Sequence, residues 1–156
     1  MQSEPPRKRR KTTTAAAKTN RKFYIAIPSY KRAEILAVKT LPLIRSLHPD
    51  LSRVTVFVAN QTELHHYRQV LSEAGFGEVE VVQGVKGLLK QRRYYNTRHY
   101  SKNDLILNMD DDLDDLKTVE DGNLITYAGT LQALVDRMAD LCERSGARLA
   151  GVYPVA

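Results

Sequence analysis

Five carboxylates occupy six positions at Asp110-Asp111-Asp112-Leu113-Asp114-Asp115. Charges of one sign packed that closely repel unless water or a cation neutralises them. A solvated acidic loop leading into a helix, favoured by the helix dipole, is one way to satisfy them. A divalent cation is the other, and the context favours it, because the cluster directly ends the apolar run Leu105-Ile106-Leu107-Asn108-Met109. Residues 110 and 112 stand one strand period apart, so both side chains can point to the same side. Two hard oxygen ligands suit Mg2+ or Mn2+, which bind few carboxylates and leave room for phosphate oxygens. Asp110 and Asp112 are therefore the expected metal ligands.

Two other acidic patterns fit less well. Residues 111–115 match the D-D-x-x-D arrangement of isoprenoid synthases, but that motif sits on a helix of an all-helical bundle and this one follows a strand. An EF-hand loop starting at Asp110 needs Gly at its sixth position and Glu at its twelfth. Asp115 and Asp121 stand there instead.

A cation beside strand ends implies a diphosphate ligand, whose remaining charge calls for basic partners. Lys31 and Arg32 follow the first apolar run, and Lys86, Lys90, Arg92 and Arg93 follow the third, with Arg92 foremost. Gly84 and Gly87 would let the backbone approach a ligand closely. Neither a G-x-G-x-x-G nor a Walker loop is present. Asn60, after the second apolar run, suits either a turn or a contact to a nucleotide's base or ribose. His65-His66 has no carboxylate at metal-ligand spacing and reads as surface.

The elements that must position these residues alternate along the chain. Phe23–Ile27, closed by Pro28-Ser29, reads as a buried parallel strand. A helix over Glu34–Leu47 follows, with a kink expected at Pro42. Val54–Ala59 is the second strand, and a helix through Leu64, Tyr67, Val70, Leu71 and Ala74 ends at Gly75. Strand Val79–Val82, a helix from Gly87 to His99 and strand Asp104–Met109 come next. The last helix carries Leu131, Leu134, Val135, Met138, Leu141 and Cys142 on one stripe before Gly146, so Cys142 is expected as a buried thiol. Leu149–Val155 reads as a final strand. This alternation predicts a mostly parallel sheet with helices on both faces, the doubly wound α/β class. Ligands in such sheets sit at the carboxyl ends of strands, which selects Pro28–Arg32, Asn60-Gln61, Gly84–Gly87 and Asp110–Asp112.

With 156 residues the chain can build one core, and 42% apolar with 27% charged residues is ordinary for a globular protein. No apolar run approaches the roughly 20 residues of a membrane span. The amino terminus has no apolar segment of a secretory signal, and the single cysteine, Cys142, cannot form an internal disulfide. A nuclear or otherwise cytoplasmic location is expected, not secretion. The net charge of +6 is uneven: residues 1–22 carry +7 and the rest −1. Residues 1–22 read as a disordered basic tail, and Arg7-Lys8-Arg9-Arg10-Lys11 suits a nuclear-import receptor or contact with nucleic acid.

The set resembles a known family. Ile27-Pro28-Ser29-Tyr30-Lys31-Arg32 is similar to the opening of nucleotide-sugar-dependent glycosyltransferases of the A-type, Rossmann-like fold. Asp110-Asp111-Asp112 looks like their D-x-D signature, and Gly87 with Arg92 resembles a helix of the family 2 enzymes. Arg93 stands where Asn is usual and Asn60 where an acidic residue is common. Together, P-S-Y-K-R, K-G-L-L-K-Q-R-R, L-I-L-N-M-D-D-D-L and the terminal G-V-Y-P-V-A resemble the TET/JBP-associated glycosyltransferases, related to the glucosyltransferase of base J. The resemblance covers residues 23–156. It implies transfer of a sugar, glucose by analogy, from a UDP-sugar to hydroxymethylated pyrimidine in DNA with Mn2+ or Mg2+. Donor contacts are expected from Pro28, Ser29, Tyr30, Arg32, Asn60, Lys86, Gly87, Arg92, Asp110 and Asp111, and the resemblance implies Asp112 on the metal, Asp110 against the ribose or donor sugar, and phosphate or uridine contacts from Arg92 and Lys86.

Domains of that fold usually exceed 200 residues, so residues 23–156 are expected to be the donor-binding half of a truncated domain, with the catalytic base beyond residue 156. Two other readings stand beside this one. The same donor half would serve a protein, lipid or carbohydrate acceptor. A non-catalytic nucleic-acid-binding module, or an inactive fragment, would rely on the tail instead.

Overall fold

A computed structural model describes residues 19–152. The run Arg7–Lys11 and residues 153–156 lie outside the described residues. Six strands and five helices follow in the order β1 (Phe23–Pro28), α1 (Ala33–Val38), α2 (Thr40–Leu47), β2 (Val54–Val58), α3 (Gln61–Glu73), β3 (Glu80–Gln83), α4 (Leu88–Tyr94), β4 (Leu105–Asn108), β5 (Lys117–Glu120), β6 (Asn123–Thr126) and α5 (Leu131–Ser145). One π-helical turn, Tyr95–His99, continues α4.

Strands β3-β2-β1-β4 form one all-parallel sheet in that order. Alternation along β1 and β2 divides their side chains between two faces. Phe23, Ile25, Ile27, Val54, Val56 and Val58 join the core under α1, α2 and α3, which Leu131 and Val135 of α5 also enter. Ala26 and Phe57 point the other way, beneath Tyr95 and Tyr100. The sheet is thus covered on both sides, a Rossmann-like α/β fold. Each fully buried aliphatic side chain in it contributes roughly 1.5–3 kcal/mol.

Local chemistry sets the element ends. Asn60 Oδ1 accepts from the Glu63 N–H at 2.9 Å and starts α3. Thr130 Oγ1 accepts from the Ala133 N–H and starts α5, which Gly146 closes at φ 71°. The expected helix over 34–47 is broken at Lys39, three residues before Pro42. The proline then falls in the first turn of α2, where its missing N–H costs little.

Three expectations give way. Residues 149–152 form no strand, and Leu149 is 85% exposed; an apolar run becomes a strand only when a neighbour takes up its backbone bonds. Cys142 is only partly buried, because the α5 stripe outruns the core after Val135 and leaves Leu141 exposed. Residues 19–22, assigned to the tail, are placed on the body: Asp136 accepts from the Asn20 and Arg21 N–H groups, and the Arg21 guanidinium pairs with Asp140. The hairpin of β5 and β6 is an addition, turning through Asp121 and Gly122 at φ 50° and 78°. No helix among the described residues is long and apolar enough to cross a membrane.

Candidate functional site

All four parallel strands end on one cleft of about 760 Å3, lined by Pro28, Ser29, Tyr30 and Arg32 after β1, Ala59 after β2, Val85–Leu88 and Gln91 after β3, and Asp110–Asp112 after β4. The candidate residues from the first, third and fourth strand ends therefore meet, although they are far apart in sequence. The side chains of Asp110 and Asp112 are 61% and 48% exposed, while residue Asp111 between them is only 7% exposed. These residues lie beyond the end of β4, with Asp111 and Asp112 in a turn, so the alternation of exposed and buried carboxylates comes from the turn and not from the strand period on which the expectation for 110 and 112 rests.

Asp111 closes a ring of hydrogen bonds that holds the cleft's floor. Ser29 Oγ donates to Asp111 Oδ2 at 2.5 Å, so its single proton is committed there. The Tyr67 hydroxyl, 2.7 Å away, must then donate to Ser29 Oγ, and it accepts from the Arg32 N–H at 2.9 Å. The Arg32 guanidinium returns to Asp111 Oδ1 at 3.3 Å and to Asp112 at 2.9 Å. Asp111 first, then Asp112, raises the Arg32 pKa above the ordinary guanidinium value. Burial raises the pKa of the Tyr67 hydroxyl, and the bond it accepts from the Arg32 N–H opposes that rise.

Two further devices fix the rim. Lys31 sits at φ 56°, a strained conformation for a residue with a Cβ. Buried Glu63 stabilises it, accepting from the Lys31 N–H at 2.8 Å and the Ala59 N–H at 3.1 Å, which ties the ends of β1 and β2 together. Thr40 Oγ1, at the break between α1 and α2, donates to the Asp110 carbonyl and accepts from the Leu113 N–H. Thr40, outside the cleft lining, thereby holds the backbone of the acidic segment. Lys86 and Lys31 place their ammonium groups over the Tyr30 ring, at 5.6 and 5.3 Å from its centre.

Some candidates take other places. Asn60 does not line the cleft, and its Oδ1 is committed to the cap of α3. Arg92 also lies outside the lining and reaches Asp110 at 3.3 Å. Asp111 touches the cleft, but its carboxylate is spent on Ser29 and Arg32. Gly84 serves the fold: a Cβ there would stand 2.0 Å from Gln91 Oε1. Gln91 accepts from the Val85 N–H and donates to the Val58 carbonyl, stitching the β3 loop to β2. Gly84→Ala is expected to expel that carboxamide and cost both bonds, about 2 kcal/mol. Urea unfolding checks it, and an unchanged midpoint would refute it.

Glu63, Tyr67, Thr40 and Gln91 were not among the sequence candidates. Only Glu63 carried a local signal, the N-cap spacing Asn60-x-x-Glu63. The carboxylate bypasses the usual capping-box bond and bonds to Lys31 and Ala59 instead.

Two exposed carboxylates on a cleft rim fit a hexacoordinate Mg2+ or Mn2+ that keeps several waters and takes phosphate oxygens. Among the described residues no three His, Cys, Asp or Glu side chains converge as a complete protein cage. Both carboxylates are paired with guanidinium groups, Asp112 with Arg32 and Asp110 with Arg92. A cation entering there would have to displace those partners.

Fold and site together define a Rossmann-like α/β domain with an acidic pair and basic side chains at its strand-end cleft. Comparison with protein-family models, with characterised proteins and with solved structures finds no match to the chain.

Proposed function

We propose that this chain binds a nucleotide-sugar with a divalent cation and is the donor-binding part of a glycosyltransferase. The acceptor that the sequence resemblance implies is hydroxymethylated pyrimidine in DNA, and the sugar is glucose. The observation that supports the reading best is that exposed Asp110 and Asp112 line one cleft with Arg32 and Lys86 at the carboxyl ends of the strands. That arrangement offers a cation site and positive charge for a diphosphate within one space.

A bound Mg2+ or Mn2+ supplies Lewis-acid stabilisation of the negative charge that builds on a departing diphosphate. Asp110 and Asp112 would hold it, Arg32 and Lys86 would add charge against the phosphates, and Tyr30 offers a ring face at the mouth for stacking. The ring through Tyr67, Ser29 and Asp111 keeps Arg32 at the rim, so these cationic partners are oriented before the ligand arrives.

Calorimetric titration of UDP, UDP-glucose and GDP-mannose, each with and without Mn2+, tests the reading. UDP and UDP-glucose are expected to bind with Mn2+ and to lose most of that affinity without it. UDP binding that ignores Mn2+ would overturn it.

A further inference from the structure

The near-neutral body hides a charge separation beside the cleft. Residues 85–103 hold Lys86, Lys90, Arg92, Arg93, Arg98 and Lys102 without one Asp or Glu, whereas residues 104–121 hold eight carboxylates and one lysine. Gln91 and Tyr95 are buried against the sheet, so the opposite side of α4 faces water with Leu89, Lys90 and Arg93 on it. Arg98 and Lys102 continue the exposed stretch through the π-helical turn and the loop after it. Arg92 and Lys86 turn toward the cleft, to Asp110 and Tyr30. Among the described residues Lys90, Arg93, Arg98 and Lys102 make no ion pair with a carboxylate, although Arg21, Arg32, Lys39, Arg45 and Arg92 all do.

We propose that the outer side of α4 and the π-helical turn is a docking surface for the phosphate backbone of a nucleic acid, with Lys90, Arg93 and Arg98 as its contacts. The inference deepens the acceptor half of the function proposed above and in that respect rests on it. Four unneutralised cations on one short segment repel one another at a stability cost that a polyanion removes. From Lys90 in α4 to Arg98 in the π-helical turn the helical backbone rises roughly 10 Å, which matches about three phosphates of one strand at about 3.4 Å spacing. A rod-like polyanion can lie along this helix alone. A flat anionic bilayer would also meet the exposed carboxylate of Asp110, which Arg92 of α4 reaches at 3.3 Å, and be repelled. The exposed Leu88 and Leu89 offer apolar contact to sugars or base edges at the end of the helix nearest the cleft.

Fluorescence anisotropy of a labelled duplex of roughly 20 base pairs with the full chain, between about 50 and 200 mM salt, tests this. In the triple variant Lys90→Ala, Arg93→Ala, Arg98→Ala, affinity at the low-salt end is expected to fall at least about tenfold. The slope of log affinity against log salt should flatten by about 2.7, for three lost phosphate contacts at 0.9 each. A second variant with residues 7–11 changed to Ala removes the basic run and should keep the part of the slope that the triple variant loses. An unchanged slope in the triple variant would overturn the proposal. Wild-type chain that ignores duplex, including one that binds phosphatidylserine vesicles instead, would overturn it as well. Mn2+-dependent UDP binding, measured on the same variants, separates the two ideas. It is expected to survive in the triple variant, and its absence from the wild type would remove the cleft reading while leaving the duplex result to stand.

Discussion

Asp112→Ala is expected to abolish the Mn2+-dependent gain in UDP affinity while leaving the thermal midpoint almost unchanged. The carboxylate is half exposed, and among the described residues it accepts a hydrogen bond only from Arg32, itself half exposed and still held by Asp111 after the substitution. Exposed pairs of that kind contribute about 0–1 kcal/mol to folding. The loss to ligand binding is of another size. Removing groups that merely orient metal ligands already costs about 10–100-fold in affinity, and here one of the two proposed carboxylate ligands disappears. The expected loss in the Mn2+-dependent component is roughly a hundredfold or more. Asp114→Ala is the control: Asp114 is exposed, pairs with Lys39 and does not line the cleft. Equal UDP affinity of wild type and Asp112→Ala in Mn2+ would remove Asp112 from the site.

How far the sequence reading reached follows burial. Strands β1 and β2 are buried almost throughout, so β1 appears as an apolar run and β2 as a β-branched and aromatic one, and their place in a parallel sheet is legible directly. The hairpin of β5 and β6 was missed because it rests on no core: Val119, Leu124 and Ile125 are all exposed, and no apolar alternation marks it. Its one signal was Asp121-Gly122, a pair that suits the two positive φ values of a tight hairpin turn. Residues 149–155 mislead in the opposite direction, since their apolar character suggested a strand and the described part pairs with nothing.

The site divides in the same way. That the cleft lies at the strand ends follows from topology, whereas the exposed Asp110 and Asp112 flank the buried Asp111 in loop and turn beyond β4, where a strand period does not apply. What holds the cleft together is not local. Ser29 meets a hydroxyl 38 positions away and a carboxylate 82 positions away, and Thr40 meets the acidic segment across 70. No spacing rule reaches across such separations, which is why Tyr67 and Thr40 read as an ordinary helix-face residue and an unremarked threonine. Asn60 shows the converse: the turn reading describes what its side chain does, capping α3, better than the ligand reading does.

Asp111→Ala should give the reverse phenotype of its neighbour, a large loss of stability. Its carboxylate is almost wholly enclosed and accepts the only proton of Ser29, itself buried. A hydrogen bond to a charged group contributes about 1.5–3 kcal/mol, and the buried hydroxyl left without an acceptor adds to the cost. The pairing with Arg32 adds little, since that guanidinium is half exposed and can turn to Asp112 or to water. A net loss of about 2–3 kcal/mol is expected, a fall of roughly 10 °C in thermal midpoint for a chain of this size. Because Ser29 is the partner in the lost bond, Ser29→Ala combined with Asp111→Ala should cost less than the sum of the two, by about 1–2 kcal/mol. Strict additivity would mean that the two side chains act independently, and a midpoint unchanged in Asp111→Ala would mean that the ring does not hold the floor of the cleft. The contrast between adjacent carboxylates then becomes the sharpest check on the geometry: stability should depend on 111 and cation-dependent binding on 112, and a reversed result would require the acidic segment to be turned by one residue.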